Sequence, residues 1–126
     1  MKRLILVFIL VVVFMCGCSS NNTDVVQVVK VDKTKTESLI DEGALLIDVR
    51  SFTEFNQGHI DGAINIDVQE ILNITDSLVY NNASISKNKK IIVYCRSGSR
   101  SSNAANKLVE LGYTNVYDLG SIDNWS

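Results

Sequence analysis

The sequence contains no proline, only seven glycines in 126 residues, and a single histidine, His59. Without proline and with this little glycine, the chain excludes collagen-like repeats and low-complexity segments. One histidine and three cysteines leave a metal cluster without enough partners, so we expect no metal and no other cofactor. For the same reason, any cysteine–histidine hydrolase pair would have to use His59.

The sequence also lacks a large excess of charge of either sign, because twelve basic and fourteen acidic side chains leave a net charge of −2. The basic residues are scattered apart from the short run Lys87-Asn88-Lys89-Lys90, so we expect no nucleic-acid partner. A chain of 126 residues with 46% apolar content can bury one core and has no room for a second domain. We therefore expect one folded domain, and we expect it to be a monomer.

The longest apolar run lies at the N-terminus, where Lys2 and Arg3 precede an unbroken stretch from Leu4 to Met15. This pattern is typical of a secretory signal peptide, which we assign to residues 1–17. The run is too short to cross a hydrocarbon core of roughly 30 Å, so a retained transmembrane helix is the weaker alternative.

The residues that end this run, Met15-Cys16-Gly17-Cys18, resemble the lipobox of bacterial lipoproteins. The resemblance implies that Cys18, which follows a small residue, is lipidated and becomes the new N-terminus, although Met15 stands where leucine is usual. Residues 18–27 would then be a lipid-anchored tether. The protein would be exported and held at the outer face of the bacterial cytoplasmic membrane, or at the periplasmic or outer-membrane face in a source with two membranes. Plain secretion, with Cys18 as a bystander, is the alternative.

Counting cysteines singles out one thiol. Cleavage before Cys18 removes Cys16, and lipidation occupies Cys18, so Cys95 alone remains. An exported protein with one cysteine cannot form an internal disulfide, which suggests that this thiol is there to react.

Residues 28–126 alternate between β-branched apolar segments and segments with helical spacing. The predicted strands span residues 25–31, 44–49, 63–66, 91–94 and 116–119. The predicted helices span residues 36–42, with Thr36 as the cap and Gly43 as the stop, and residues 52–57, 68–80 and 100–111. This alternation indicates an α/β fold with a parallel open β-sheet of about five strands, flanked by helices on both faces.

Cys95 follows an apolar strand and precedes the polar loop Arg96-Ser97-Gly98-Ser99, which leads into a helix near Arg100. Loop and helix N–H groups at such a position form a concavity that favours an anion. The same environment lowers the pKa of a thiol, and Arg96 and Arg100 each add positive charge and a planar fork for oxyanions. We therefore predict a thiolate site that cradles anions, in preference to a cysteine that only fills the core.

Several separated motifs resemble those of single-domain rhodaneses. They are Leu46-Ile47-Asp48-Val49-Arg50, Glu54-Phe55, Gly58-His59-Ile60-Asp61-Gly62-Ala63, the run from Ile92 to Ser101, Leu111-Gly112-Tyr113, and the segment from Gly120 to Trp125. The resemblance identifies residues 28–126 as a rhodanese domain. It implies a sulfurtransferase in which Cys95 takes a sulfane sulfur from thiosulfate or a similar donor, becomes a persulfide, and passes the sulfur to cyanide or a thiol. One departure is Ser121, which stands where a second glycine usually follows Gly120.

The resemblance also implies roles for the residues around the thiol. Asp48 and Arg50 correspond to a pair that supports the active loop through charge-assisted hydrogen bonds. Glu54 either joins this pair or lies on a solvated helix face, and both readings stay open. The Gly-His-Ile segment is a structural turn in the family, so we expect His59 to be structural. The substrate-binding positions of the loop are Arg96, Ser97, Gly98, Ser99 and Arg100.

Loop length separates this function from its nearest alternatives. Phosphatases and arsenate reductases of related architecture place five residues between nucleophile and arginine, whereas Cys95 and Arg100 have four between them. A smaller ring misplaces its N–H donors for a larger tetrahedral anion, which favours the sulfurtransferase. A non-catalytic sulfur-carrier or protein-docking module is the remaining alternative, because a cysteine alone does not prove turnover. A thiol–disulfide protein would need a resolving cysteine from a partner.

Overall fold

The computed structural model describes residues 25–126, in which seven strands and four α-helices follow one another along the chain. The strands are β1 Val29–Lys30, β2 Leu45–Asp48, β3 Ile64–Asn65, β4 Val79–Tyr80, β5 Ala83–Ser84, β6 Ile91–Cys95 and β7 Val116–Ser121. The helices are α1 Lys33–Asp41, α2 Phe52–Gln57, α3 Val68–Leu72 and α4 Ser99–Glu110, and a 3₁₀ turn covers Ile122–Trp125.

Five strands form one sheet in the order β1-β7-β6-β2-β3, and every neighbouring pair in it is parallel. One face of the sheet packs against α3 and α4, and the other packs against α1, α2 and the 3₁₀ turn. This architecture confirms the predicted α/β fold, with a parallel open sheet of five strands and helices on both faces.

The central strand β6 shows why its sequence is a continuous apolar run. All five of its residues are fully buried. Ile91, Val93 and Cys95 belong to the core beneath α3 and α4, whereas Ile92 and Tyr94 belong to the core on the opposite face. A strand covered by helices on both faces has no polar side, so its sequence does not alternate.

Helix α1 begins at Lys33, earlier than the sequence predicts. The side chain of Asp32 accepts a hydrogen bond from the backbone N–H of Lys35 at 2.8 Å, which makes Asp32 the N-cap. The prediction that Thr36 caps this helix is wrong, because Thr36 lies fully buried inside it. Aspartate and threonine are both good caps, and only the packing of α1 on the sheet decides between them.

The predicted helix over residues 68–80 is wrong beyond Leu72. Helix α3 has only five residues, and β4 and β5 form an antiparallel hairpin after it. Asn81 and Asn82 connect the two strands with φ angles of 52° and 62°, in the left-handed region that asparagine tolerates better than most residues. Two residues of this kind between strands form a tight hairpin turn, a signal that the helical spacing obscured.

A distant tyrosine holds this segment in place. The buried hydroxyl of Tyr113 accepts a hydrogen bond from the Leu78 N–H at 2.8 Å and donates one to the Ile85 carbonyl at 2.9 Å. These bonds bridge the base of the hairpin and give the Leu78 N–H and the Ile85 carbonyl a buried partner. This segment is therefore held by a tertiary contact that its local spacing does not reveal.

The predictions for the first 24 residues lie outside the described part of the chain. They are the signal peptide 1–17, lipidation at Cys18, and most of the tether 18–27. Between residues 25 and 126 the longest helix is α4, with 12 residues, and no helix in this range is long and apolar enough to cross a membrane.

Candidate active site

Cys95 lies at the carboxyl end of the central strand of the sheet. Because β6 lies between β2 and β7 and all three run parallel, their carboxyl ends meet at one edge. Cys95 is the last residue of β6, and its register partner on β7 is Ser121. Asp48, the last residue of β2, is paired with Tyr94. This edge is where open parallel sheets carry their functional sites.

The loop after Cys95 turns its backbone towards the sulfur. The N–H of Gly98 donates a hydrogen bond to Cys95 Sγ at 3.0 Å. Gly98 has a φ of 101°, in the region that favours glycine. A Cβ built at Gly98 would approach Gly120 Cα only to 3.9 Å, which is ordinary contact. The site therefore requires glycine here for its backbone angles and not for space.

Hydrogen bonds at this turn stabilise the charged form of the buried Cys95. Burial raises the pKa of the Cys95 thiol, but hydrogen bonds from the Ser101 side chain and from the N–H groups of Ser101, Gly98 and Ser97 outweigh it. The net effect is a pKa below that of an ordinary thiol. These donors belong to the loop and to the first turn of α4, where N–H groups have no helical partner.

Arg100 forms a two-bond ion pair with Glu54. Its Nη1 donates to Glu54 Oε1 at 2.7 Å, and its Nη2 donates to Oε2 at 3.0 Å. The Arg100 guanidinium is the main reason that the pKa of Glu54 falls to about 2. Glu54 also accepts from Ser51, the N-cap of α2, so its orientation is fixed from both sides. Of the two readings left open for Glu54, the structure favours the one at the site.

The two loop arginines therefore differ. The Arg96 side chain is exposed, and among the described residues its guanidinium makes no ion pair or hydrogen bond. Its backbone carbonyl accepts a hydrogen bond from Ser121 Oγ at 2.6 Å. Ser97 and Ser99 are also exposed at the rim. Arg96 is thus the loop cation that is available to an incoming anion, whereas Arg100 shares its charge with a carboxylate.

Asp48 and Arg50 form a buried pair one strand away. Arg50 Nε donates to both carboxylate oxygens of Asp48 at 3.0 Å, and Nη2 donates to Oδ2 at 2.7 Å. Arg50 Nη2 also donates to the Gly58 carbonyl at 2.7 Å, and the Tyr94 hydroxyl accepts from the Ile60 N–H at 3.1 Å. The pair lies at the expected edge, but its hydrogen bonds fix the turn after α2. The direct ion pair to the loop comes from Glu54.

His59 is held in that same turn. Its Nδ1 lies 2.9 Å from the Phe55 carbonyl, and its ring stacks on the Phe55 ring with 3.6 Å between centroids. Because a carbonyl only accepts, Nδ1 is the protonated nitrogen. These contacts fit the structural role expected for His59.

Two residues that act on the loop were not among the predicted site residues. The Ser101 hydroxyl donates to the Gly98 carbonyl at 3.1 Å and helps to lower the pKa of the Cys95 thiol, and its position in the first turn of the helix after the loop could have indicated this role. Ser121 contacts the loop from a neighbouring strand, about 25 residues further along the chain. Only the strand order and register of the sheet reveal that contact.

Fold and site together define a class of protein: a parallel α/β domain that presents a hydrogen-bonded thiol in a loop between its central strand and the following helix. The rhodanese-like domain family matches residues 32–126 of this sequence. The chain belongs to this family.

Individual relatives agree with this assignment. The chain is 32% identical over 108 residues to thiosulfate sulfurtransferase 18 of Arabidopsis thaliana, a match covering 80% of this chain and 79% of that protein. It is 38% identical over 93 residues to a putative mitochondrial thiosulfate sulfurtransferase of Schizosaccharomyces pombe, covering 68% of this chain and 66% of that protein. The structure of the human single-domain sulfurtransferase TSTD1 is similar, with a TM-score of 0.63 and 28% identity over 78% of this chain and 93% of that one.

Proposed function

We propose that this protein is a sulfurtransferase that moves a sulfane sulfur from thiosulfate, or a similar donor, to a thiophilic acceptor through a persulfide on Cys95. The observation that carries the proposal is the hydrogen bond of 3.0 Å from the Gly98 N–H to Cys95 Sγ, inside a loop whose donors lower the thiol pKa. Sulfur transfer needs a nucleophile and anion-binding groups but no general base. The loop supplies the nucleophile and the anion-binding groups.

The first half-reaction is attack of the Cys95 thiolate on the outer sulfur of thiosulfate. A bond forms between the two sulfurs, the sulfur–sulfur bond of thiosulfate breaks, and sulfite leaves with the electron pair. The product is a Cys95 persulfide, whose terminal sulfur carries negative charge. The N–H groups that face Cys95 Sγ are placed to stabilise negative charge on the cysteine sulfur before attack and on the persulfide after it.

The second half-reaction transfers that terminal sulfur to the acceptor. Cyanide attacks it to give thiocyanate, or a thiolate attacks it to give a new persulfide, and in either case the electron pair returns to Cys95. No proton needs to move to or from Cys95, which suits a site where the one described histidine is bonded into a structural turn.

Arg96 is the residue that we assign to binding the donor anion. Its exposed guanidinium offers a planar set of N–H donors to the sulfonate end of thiosulfate. Arg100 contributes mainly by holding the start of α4 against α2 through its ion pair with Glu54, and its remaining N–H groups would serve as secondary donors to the anion. Ser97, Gly98 and Ser99 complete the rim.

The decisive experiment compares the protein with its Cys95→Ser variant in thiosulfate-dependent formation of thiocyanate from cyanide. We expect turnover for the unmodified protein and none for the variant. After exposure to thiosulfate alone, the peptide that contains Cys95 should gain the mass of one sulfur atom. If the unmodified protein forms no persulfide with thiosulfate, mercaptopyruvate or polysulfide, the proposed enzymatic function is refuted. The alternative of a non-catalytic carrier or docking module would then remain.

A further inference from the structure

The sheet brings a serine of β7 against the backbone of the active loop. Ser121 Oγ donates a hydrogen bond to the Arg96 carbonyl at 2.6 Å, and it accepts one from the Asp123 N–H at 3.1 Å. The Ser121 hydroxyl thus donates a hydrogen bond to the loop and accepts one from the 3₁₀ turn. A glycine or alanine at this position has neither group.

The bond to Arg96 fixes more than one carbonyl. The peptide that joins Arg96 to Ser97 is planar and trans, so its C=O and N–H point in opposite directions. Because the Arg96 carbonyl points towards Ser121, the Ser97 N–H points in the opposite direction, away from Ser121. That N–H is one of the backbone groups that lower the pKa of the Cys95 thiol, next to the Gly98 N–H, which donates to Cys95 Sγ at 3.0 Å. The orientation of one peptide therefore couples Ser121 to the thiol.

Ser121 is itself held firmly enough to act as a support. It is the register partner of Cys95 across β6 and β7, just after an irregularity in the pairing of these strands. The buried Asp118 carboxylate accepts from the Gly120 N–H at 2.8 Å, and Asn124 Nδ2 donates to the Leu119 carbonyl at 2.8 Å. Both bonds are made by the Leu119–Gly120 peptide, which precedes the serine in the chain.

We propose that Ser121 is a positioning residue, which holds the Arg96–Ser97 peptide in the orientation that aims the Ser97 N–H at the Cys95 sulfur. It touches neither the sulfur nor a substrate and acts only through the loop backbone. The inference deepens the proposed function and rests on it only in taking the Cys95 thiolate as the reactive group.

The test measures the Cys95 thiol directly, without a sulfur donor. The full chain and its variants are alkylated with iodoacetamide across a pH series, and the modified fraction is read from the tryptic peptide that Lys90 and Arg96 delimit. This readout separates Cys95 from Cys16 and Cys18. Ser121→Ala removes the hydroxyl, and Ser121→Thr restores it. Ser121 has φ −73° and ψ 139°, which both replacements adopt without strain.

A matched control variant loosens the 3₁₀ turn but keeps the hydroxyl that donates to the Arg96 carbonyl. Asn124→Ala removes the bond to the Leu119 carbonyl and leaves Ser121 intact. We expect Ser121→Ala to slow alkylation near neutral pH by roughly three- to tenfold and to raise the apparent thiol pKa, because one donor to the thiolate is misaligned. Ser121→Thr and Asn124→Ala should stay close to the unmodified protein.

Two results would overturn the proposal. One is a Ser121→Ala variant that alkylates at the rate and pKa of the unmodified protein. The other is an Asn124→Ala variant that loses as much reactivity as Ser121→Ala, because the effect would then come from the loosened turn. Failure of thiosulfate turnover in the unmodified protein would refute the proposed function without altering either alkylation result.

Discussion

At the scale of single residues, the site separates two arginines that the sequence presents as equivalent. Arg96 and Arg100 flank the same loop, yet among the described residues only Arg100 has an ionic partner. A guanidinium already paired with a carboxylate has less net charge to offer an incoming anion. The exposed Arg96 keeps its full charge for a donor such as thiosulfate.

This difference predicts how the loop cation affects kinetics. We expect Arg96→Gln to raise KM for thiosulfate by about tenfold with little change in kcat, since a charge-assisted contact to the anion is lost. Steady-state kinetics at varied thiosulfate concentration measure both constants. Lys89→Gln makes the same change of charge just before β6 begins and should leave KM unaltered. An unchanged KM in the Arg96 variant would assign donor binding elsewhere.

At the scale of elements, the pair of Glu54 and Arg100 ties helix α2 to helix α4. Ser51 and Glu54 form a capping box at the start of α2. This capping box also orients the Glu54 carboxylate, which binds Arg100 of α4. Both side chains of the pair are only partly exposed. The tie links the turn after β2 to the loop after β6, which share one edge of the sheet.

The ion pair between Glu54 and Arg100 predicts a pH-dependent contribution to the stability of the fold. The pKa of Glu54 falls from its ordinary value of 4.5 to about 2 in the folded protein. A lowered carboxyl pKa stabilises the fold fully above the unfolded value and loses this contribution as the pH falls through the folded value. We expect Glu54→Gln to reduce the free energy of unfolding by about 1 kcal/mol near neutral pH, with the difference vanishing between about pH 4.5 and 2.

Urea unfolding followed by circular dichroism at several pH values measures this difference. The control is Glu37→Gln, which removes an exposed carboxylate on α1 that has no ion pair among the described residues. A loss of stability in Glu54→Gln that stays constant down to pH 2 would show that packing, and not the charge of the pair, is responsible.

At the scale of the whole molecule, we propose that the domain is exported and carried on a lipid attached to Cys18. The proposal rests on the N-terminal sequence, in which Gly17 and Cys18 follow a charged start and an apolar run. The mature protein would carry a net negative charge once Lys2 and Arg3 are removed, so attraction to anionic lipid would not hold the domain at a membrane. Attachment would depend on the acyl chains.

Expression of the full chain in a bacterial host tests this proposal. We expect the protein to incorporate labelled palmitate and to fractionate with membranes. Cys18→Ala should abolish both properties, because the acceptor thiol is gone, whereas Cys16→Ala should retain them. Equal labelling of the Cys18 variant and the unmodified protein would contradict a lipid anchor at this residue.

The sequence by itself determined the class of fold and the centre of the site. Buried parallel strands require continuous apolar runs, so the runs over residues 44–49 and 91–94 marked strands β2 and β6. A strand, a glycine-containing loop and a helix in succession also placed a thiol among backbone N–H groups. These features depend on neighbours along the chain, which is why they can be read from it.

Only the tertiary structure decided which groups meet. The Tyr113 hydroxyl binds the base of a hairpin that follows a shorter helix than the spacing predicted. Glu54 pairs with the guanidinium of Arg100, whereas the guanidinium of Arg96 has no partner among the described residues. Ser121 reached the Arg96 carbonyl because β7 lies beside β6 in a fixed register. Each of these contacts joins residues far apart in sequence. Local propensity carries no information about such pairs, because their geometry is set by the order of the strands and the packing of helices upon them.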